Sequence, residues 1–123
     1  MSSILIVDDS KAARSLVRSV VEEIEGDITT HEANSGFEAL KLLPTEDFDL
    51  IITDINMPDI NGLELINFVR NNPRYNRIPI IIVSTERSEE DKKRGMALGA
   101  TAYVTKPFKS LELQEIIKKT VVS

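Results

Sequence analysis

Short apolar runs recur along the chain at Ile4-Leu-Ile-Val7, Leu50-Ile-Ile-Thr53, Ile80-Ile-Ile-Val83 and Ala102-Tyr-Val-Thr105. They are β-branched, and the first three are continuously apolar rather than alternating, which is the pattern of strands buried on both faces of a parallel sheet. A fifth run, Ile28-Thr-Thr-His-Glu-Ala33, alternates and suits a sheet edge. Between the runs the period changes to that of helices. Ala13, Leu16, Val17, Val20, Val21 and Ile24 form one apolar stripe. Ser35 followed by Glu38 is a capping-box signature for a helix through Leu43, with Pro44 beyond it. Gly62 to Asn71 reads as a third helix, stopped before Pro73. Ser88 followed by Asp91 resembles an N-terminal cap for a helix ending near Gly99, and Ser110 opens a last helix with the stripe Leu113, Ile116, Ile117 and Val121. Strand and helix alternate five times, which predicts an α/β fold with right-handed crossovers. A closed barrel needs eight such units and about 250 residues. The expectation is therefore an open, doubly wound five-stranded parallel sheet flanked by five helices, one domain over residues 1–123.

Composition narrows the function classes. At 41% hydrophobic and 28% charged, the chain has the make-up of a globular domain with one core. It has no run of about 18 apolar residues and no signal-peptide pattern, so a cytoplasmic location without membrane contact is expected. Zero cysteines exclude disulfides and thiolate metal sites. A net charge of −5 argues against direct nucleic-acid binding. The basic run Lys92, Lys93 and Arg94 reads as a solvated helix face, and His31 as an exposed strand residue without partners for zinc.

In open α/β sheets, chemistry collects just beyond the carboxyl ends of the strands. There the chain places Asp8 and Asp9, Asp54, Ser84 and Lys106. Three carboxylates on one rim repel unless a cation intervenes, and Mg²⁺ suits a site with few carboxylates, backbone carbonyls and waters, at about 2.1 Å. Asp54, next to the apolar run, is the best fixed of the three and can act as a nucleophile to form an aspartyl-phosphate. Lys106 offers a compact positive charge to a phosphate oxygen and Ser84 a hydroxyl donor. In the turn-rich loop from Asn56 to Gly62, the glycine is expected to supply a backbone conformation that other residues resist. Lys106-Pro107 is a candidate cis bond. Singly, each residue has an ordinary explanation: Asp9 or Ser10 as a helix cap, Lys106 as a surface lysine, Ser84 as a turn hydroxyl, Tyr103 as packing. The joint placement at successive strand ends carries the argument.

The ordered set of Asp8-Asp9, Asp54 in Thr-Asp-Ile-Asn-Met-Pro, Ser84 after Ile-Ile-Ile-Val, and Lys106 in Tyr-Val-Thr-Lys-Pro-Phe resembles the receiver domain of two-component response regulators. The likeness covers the full chain and is greatest to stand-alone, chemotaxis-type members. It implies a flavodoxin-like strand order of 2-1-3-4-5. It implies Asp54 as phosphoacceptor and Asp8, Asp9, Asp54 and the Asn56 backbone carbonyl as Mg²⁺ ligands. Ser84 and Tyr103 would be the switch pair, with Lys106 contacting the phosphoryl group. The donor would be a histidine kinase or a histidine-phosphotransfer protein. A downstream protein target would bind the fourth helix, fifth strand and fifth helix, roughly Ser88 to Val121. Such a chain is not an enzyme beyond its own phosphotransfer and autodephosphorylation. The switch hydroxyl is Ser rather than the commoner Thr, and Thr85 stands where a small residue is usual. Thr85 argues for slower access of phosphodonor or water, while Asn56 and Glu86 argue for rapid loss of phosphate. A phosphatase of the haloacid dehalogenase type would need an acid/base Asp where Asn56 stands. A flavin-binding relative would need a phosphate loop where the chain has Asp8-Asp9-Ser10-Lys11, and a degenerate receiver would lack chemical positions that are all filled here.

Overall fold

In the computed structural model, which describes residues 2–85 and 89–121, five strands and five α-helices alternate. The strands are β1 (Ser2–Val7), β2 (Ile28–Ala33), β3 (Leu50–Thr53), β4 (Ile80–Ser84) and β5 (Ala102–Thr105). They pair in parallel in the order β2-β1-β3-β4-β5, the doubly wound sheet expected. The three central strands are the continuously apolar runs, and they are buried on both faces apart from the first residue of β1. The alternating run is the edge strand β2. β1 begins two residues before its apolar run. Ser2 and Ser3 register with Ile28 and Thr29 of β2, and the Ser3 amide donates to Asp49 Oδ2 at 2.8 Å. Pairing, not hydrophobicity, recruits these two serines.

The helices are α1 (Lys11–Glu22), α2 (Gly36–Leu42), α3 (Gly62–Arg70), α4 (Glu89–Leu98) and α5 (Ser110–Val121). Because strand side chains alternate, the sheet feeds two separate cores. On one face Ile4, Ile6, Leu50, Ile52, Ile81, Val83 and Val104 meet Val17, Val20 and Val21 of α1 and Leu113 and Ile117 of α5. On the other, Leu5, Val7, Ile51, Ile80 and Ile82 meet Ala39 of α2 and Leu63, Leu65, Ile66 and Val69 of α3.

Several boundaries differ from the expectation. Leu16 is 54% exposed and lies off the α1 stripe, whereas Ile24 stays buried one residue beyond the helix cap. The second helix ends at Leu42, and Leu43–Thr45 tighten into a 3₁₀ turn that includes Pro44. The Ser35 hydroxyl caps α2 by accepting from the Glu38 amide at 3.0 Å. The Glu38 carboxylate, however, accepts from Asn34 rather than Ser35, so the box is displaced by one residue. The true reciprocal box sits at α3, between Asn61 and Glu64. The third helix stops at Arg70, with Asn71 as its cap. His31 is half-buried, its Nε2 beside the Glu46 carboxylate and its ring edge-on to Phe48 at 5.4 Å between centroids. Ser88 and Glu86 lie outside the described residues. Lys92, Lys93 and Arg94 are exposed, as expected of a solvated face.

Candidate functional site

The carboxyl ends of β1, β3, β4 and β5 converge on one rim of the sheet. The Asp8 amide donates to Ala33 O at 3.1 Å and the Asp54 amide to Val7 O at 3.0 Å, so sheet pairing runs into the first residue past β1 and β3. Both aspartates are buried, at 4% and 8% exposure, while Asp9 is exposed. One carboxylate oxygen from each of Asp8, Asp9 and Asp54 falls within 4.8 Å of the others. These three are the residues that could hold a metal ion.

Lys106 crosses this cluster. Its Nζ donates to Asp8 Oδ2 at 2.8 Å and to Asp54 Oδ2 at 3.2 Å. Burial works against the ammonium charge, but the Asp8 hydrogen bond and the charges of Asp54 and Asp8 outweigh it, leaving the Lys106 pKa raised. The remaining oxygens are also engaged. Asp8 Oδ1 accepts from the Ser10 amide at 2.9 Å, and Asp54 Oδ1 accepts from Ile55 and Asn56 amides at 2.6 and 3.4 Å. A carboxylate held this way has its plane set before any substrate arrives. Among the described residues, three carboxylates meet one ammonium here, and a divalent cation would neutralise the excess negative charge.

The other expected residues fall around this centre. Ser84 ends β4 fully buried, its carbonyl accepting the Lys106 amide at 2.8 Å. Tyr103, on β5, is partly buried and packs against the core that the sheet shares with α2 and α3. Thr85 is exposed at the rim. Lys106-Pro107 is cis, as the sequence allowed. Ser10, not Asp9, caps α1, accepting from Ala13 N at 3.2 Å. Asn56 lines a shallow cavity of about 380 Å³ beside the cluster, with Asp9, Met57, Pro58 and Asn61.

The loop after Asp54 owes its course to two glycines. Gly62 does not have positive φ, so the expected reason for it is wrong. A Cβ there would lie 2.1 Å from Asp54 O, and the Gly62 amide donates to Ile55 O at 2.8 Å. The glycine lets α3 start directly against the Asp54 main chain. On the far side, a Cβ on Gly36 would lie 2.2 Å from Ile60 O, so the loop also seats on the start of α2. Asp59 accepts from the Ile60 and Phe37 amides at 2.7 and 3.3 Å, and the Ile60 bond above all lowers its pKa. One residue escaped the sequence reading. Arg14, at the edge of the buried face of α1 one turn before Val17, reaches back to the Asp8 carbonyl at 2.6 Å. Its only sequence signal is a basic residue in the first turns of a helix that follows two aspartates.

The response regulator receiver domain pattern matches residues 4–118. Chemotaxis protein CheY of Pseudomonas aeruginosa is 34% identical over 116 residues, covering 94% of this chain and 93% of that protein. The crystallised Vibrio cholerae chemotaxis protein CheY4 superposes with a TM-score of 0.86 at 36% identity, covering 98% of both chains. The Mn(2+)-bound form of response regulator Rcp1 gives a TM-score of 0.88 at 26% identity, covering 98% of this chain and 95% of that one.

Proposed function

The chain belongs to the response-regulator receiver family, and from that premise we propose that Asp54 accepts a phosphoryl group from a histidine kinase or histidine-phosphotransfer protein in a Mg²⁺-dependent reaction. An Asp54 carboxylate oxygen attacks phosphorus, the P–N bond of the donor phosphohistidine breaks, and its electron pair stays on the imidazole nitrogen, which takes a proton from solvent. Hydrolysis of the acyl phosphate by water returns the carboxylate and inorganic phosphate. The Ile55 and Asn56 amides hold the nucleophile in place. Lys106 turns from Asp54 to a phosphoryl oxygen, keeping its charge within the site. Asp8, Asp9, Asp54 and the Asn56 carbonyl would hold the cation, and the Mn(2+)-bound relative supports a divalent ion there. When bound, Mg²⁺ supplies charge neutralisation between the attacking and transferring oxygens.

The observation that carries this reading is the charge imbalance among the described residues: three clustered carboxylates, the two buried ones bridged by one ammonium. Readout follows through Ser84, which would donate to the phosphoryl group, and Tyr103 on the adjacent strand. One charge-assisted hydrogen bond contributes roughly 1.5–3 kcal/mol. Full conversion from 1:99 to 99:1 needs about 5.5 kcal/mol. Phosphorylation alone therefore gives a partial shift, completed by a protein target on the α4, β5 and α5 face. We read residues 1–123 as one receiver domain acting in the cytoplasm, with no nucleic-acid or membrane contact of its own.

Acetyl phosphate with Mg²⁺, followed by intact mass, tests the assignment. Wild type is expected to gain one phosphoryl mass, and Asp54→Asn none. A gain that survives Asp54→Asn, or no gain by wild type, overturns it.

A further inference from the structure

The geometry points to Arg14 and Glu32 as positioning residues for the cation site, acting through the main chain of Asp8. This rests on the metal-binding reading above and extends it to two residues that reading does not use.

Asp8 is held at every polar atom. Its amide is tied to Ala33 O of β2, and its two carboxylate oxygens to the Ser10 amide and to Lys106. The last atom, the carbonyl, accepts from Arg14 Nη1 at 2.6 Å. Arg14 is itself fixed, because its Nε donates to Glu32 Oε1 at 3.1 Å. Glu32 sits in β2 opposite Ile6 of β1. Its second oxygen accepts from Arg18 Nη1 at 3.1 Å, and Arg18 Nε pairs with Glu22 at 3.0 Å. The edge strand, which supplies no expected ligand, thereby reaches the site.

The guanidinium suits this position because its planar fork donates in two directions at once, to a carbonyl and to a carboxylate. An ammonium is a point charge on a flexible stem and does not reproduce that hold. Side chains that orient a ligand, rather than touch the ion, typically alter metal affinity 10–100-fold when removed. The charge of Arg14 works in the opposite direction. A cation beside a divalent-metal site weakens binding by repulsion, so charge removal alone would tighten it. Glu32 offsets that repulsion while keeping the guanidinium aimed at the carbonyl.

The opposed signs make the test decisive. Mg²⁺ binding to the full chain is titrated by calorimetry at fixed ionic strength, for wild type, Arg14→Gln, Arg14→Lys and Ile117→Val. Arg14→Gln is expected to weaken Mg²⁺ roughly 10-fold. Arg14→Lys, with charge unchanged, is expected to weaken it less but measurably. Ile117→Val is a core truncation on the α5 side, and it should lower thermal stability while leaving affinity at the wild-type value. Unchanged or tighter binding by Arg14→Gln, with wild type binding normally, overturns this inference and leaves the parent reading intact. Should Arg14→Gln fail to fold, wild-type affinity in Arg14→Lys overturns it equally. Absence of Mg²⁺ binding by wild type overturns the parent reading, and this one with it.

Discussion

At the residue scale, Gly62 shows how a position is recognised for one reason and retained for another. It stands out in a turn-rich loop, and left-handed backbone is the usual reason for a glycine there. The structure requires contact instead: there is no room for a Cβ between α3 and the Asp54 carbonyl. Both obstructing groups, Asp54 O and Ile55 Cα, are backbone and cannot rotate away. Gly62→Ala should therefore cost roughly 1–3 kcal/mol in urea denaturation. It should also slow labelling by acetyl phosphate, because the displaced main chain is that of the proposed phosphoacceptor. A variant with wild-type labelling rate and midpoint would show that the loop absorbs the methyl. The aspartates, Ser84 and Lys106 were legible because strand ends can be read from apolar runs. Arg14 was not. Its role depends on Glu32 in a separate strand, and a pairing register is not written in local spacing.

Elements divide along similar lines. Helices with a clear stripe, α1 and α5, lie where the period places them, while the boundary errors fall at the ends of α2 and α3. Leu16 has the spacing of a stripe residue but lies off the buried face, since apolar spacing alone does not say how wide the covered face is. The 3₁₀ turn at Leu43–Thr45 arises where buried Leu43 must stay in the core while Pro44 removes a donor. Helix α4 is the least anchored: Gly95 is its one fully buried residue among those described. A Cβ on Gly95 would lie 2.6 Å from Ile82 Cδ1. Alanine gains about 1 kcal/mol in helix propensity over glycine, but overpacking a core costs roughly 1–3 kcal/mol. Gly95→Ala alone should destabilise by about 1 kcal/mol. Combined with Ile82→Val, which removes the obstructing methyl, it should become stabilising relative to Ile82→Val alone. Additive effects in a urea double-mutant cycle would show that α4 is not seated on Ile82. Because α4 belongs to the proposed output face, the same cycle reports how firmly that face is held at rest.

At the scale of the whole molecule, Lys106 fastens the sheet across its width. It sits just past the edge strand β5 and bonds to residues just past β1 and β3. Its pKa is raised in the folded state, so the stabilisation it contributes is fully present below the ordinary lysine value of 10.5. That contribution is lost as pH rises through the folded value. The urea midpoint should thus fall in strongly alkaline solution, and Lys106→Met should flatten that part of the profile. An identical alkaline slope in the variant would place the effect elsewhere. The parallel order β2-β1-β3-β4-β5 is what makes such a tie possible, because it sets all of these strand ends on one rim. Asp8 and Lys106 are nevertheless 98 residues apart in the chain. A ribosome therefore delivers all three carboxylates well before the lysine that bridges two of them. Until that lysine emerges, the nascent chain lacks the ammonium that ties Asp8 to Asp54. The final strand brings both the last edge and the missing counter-charge, so the site should be among the last features to form during synthesis.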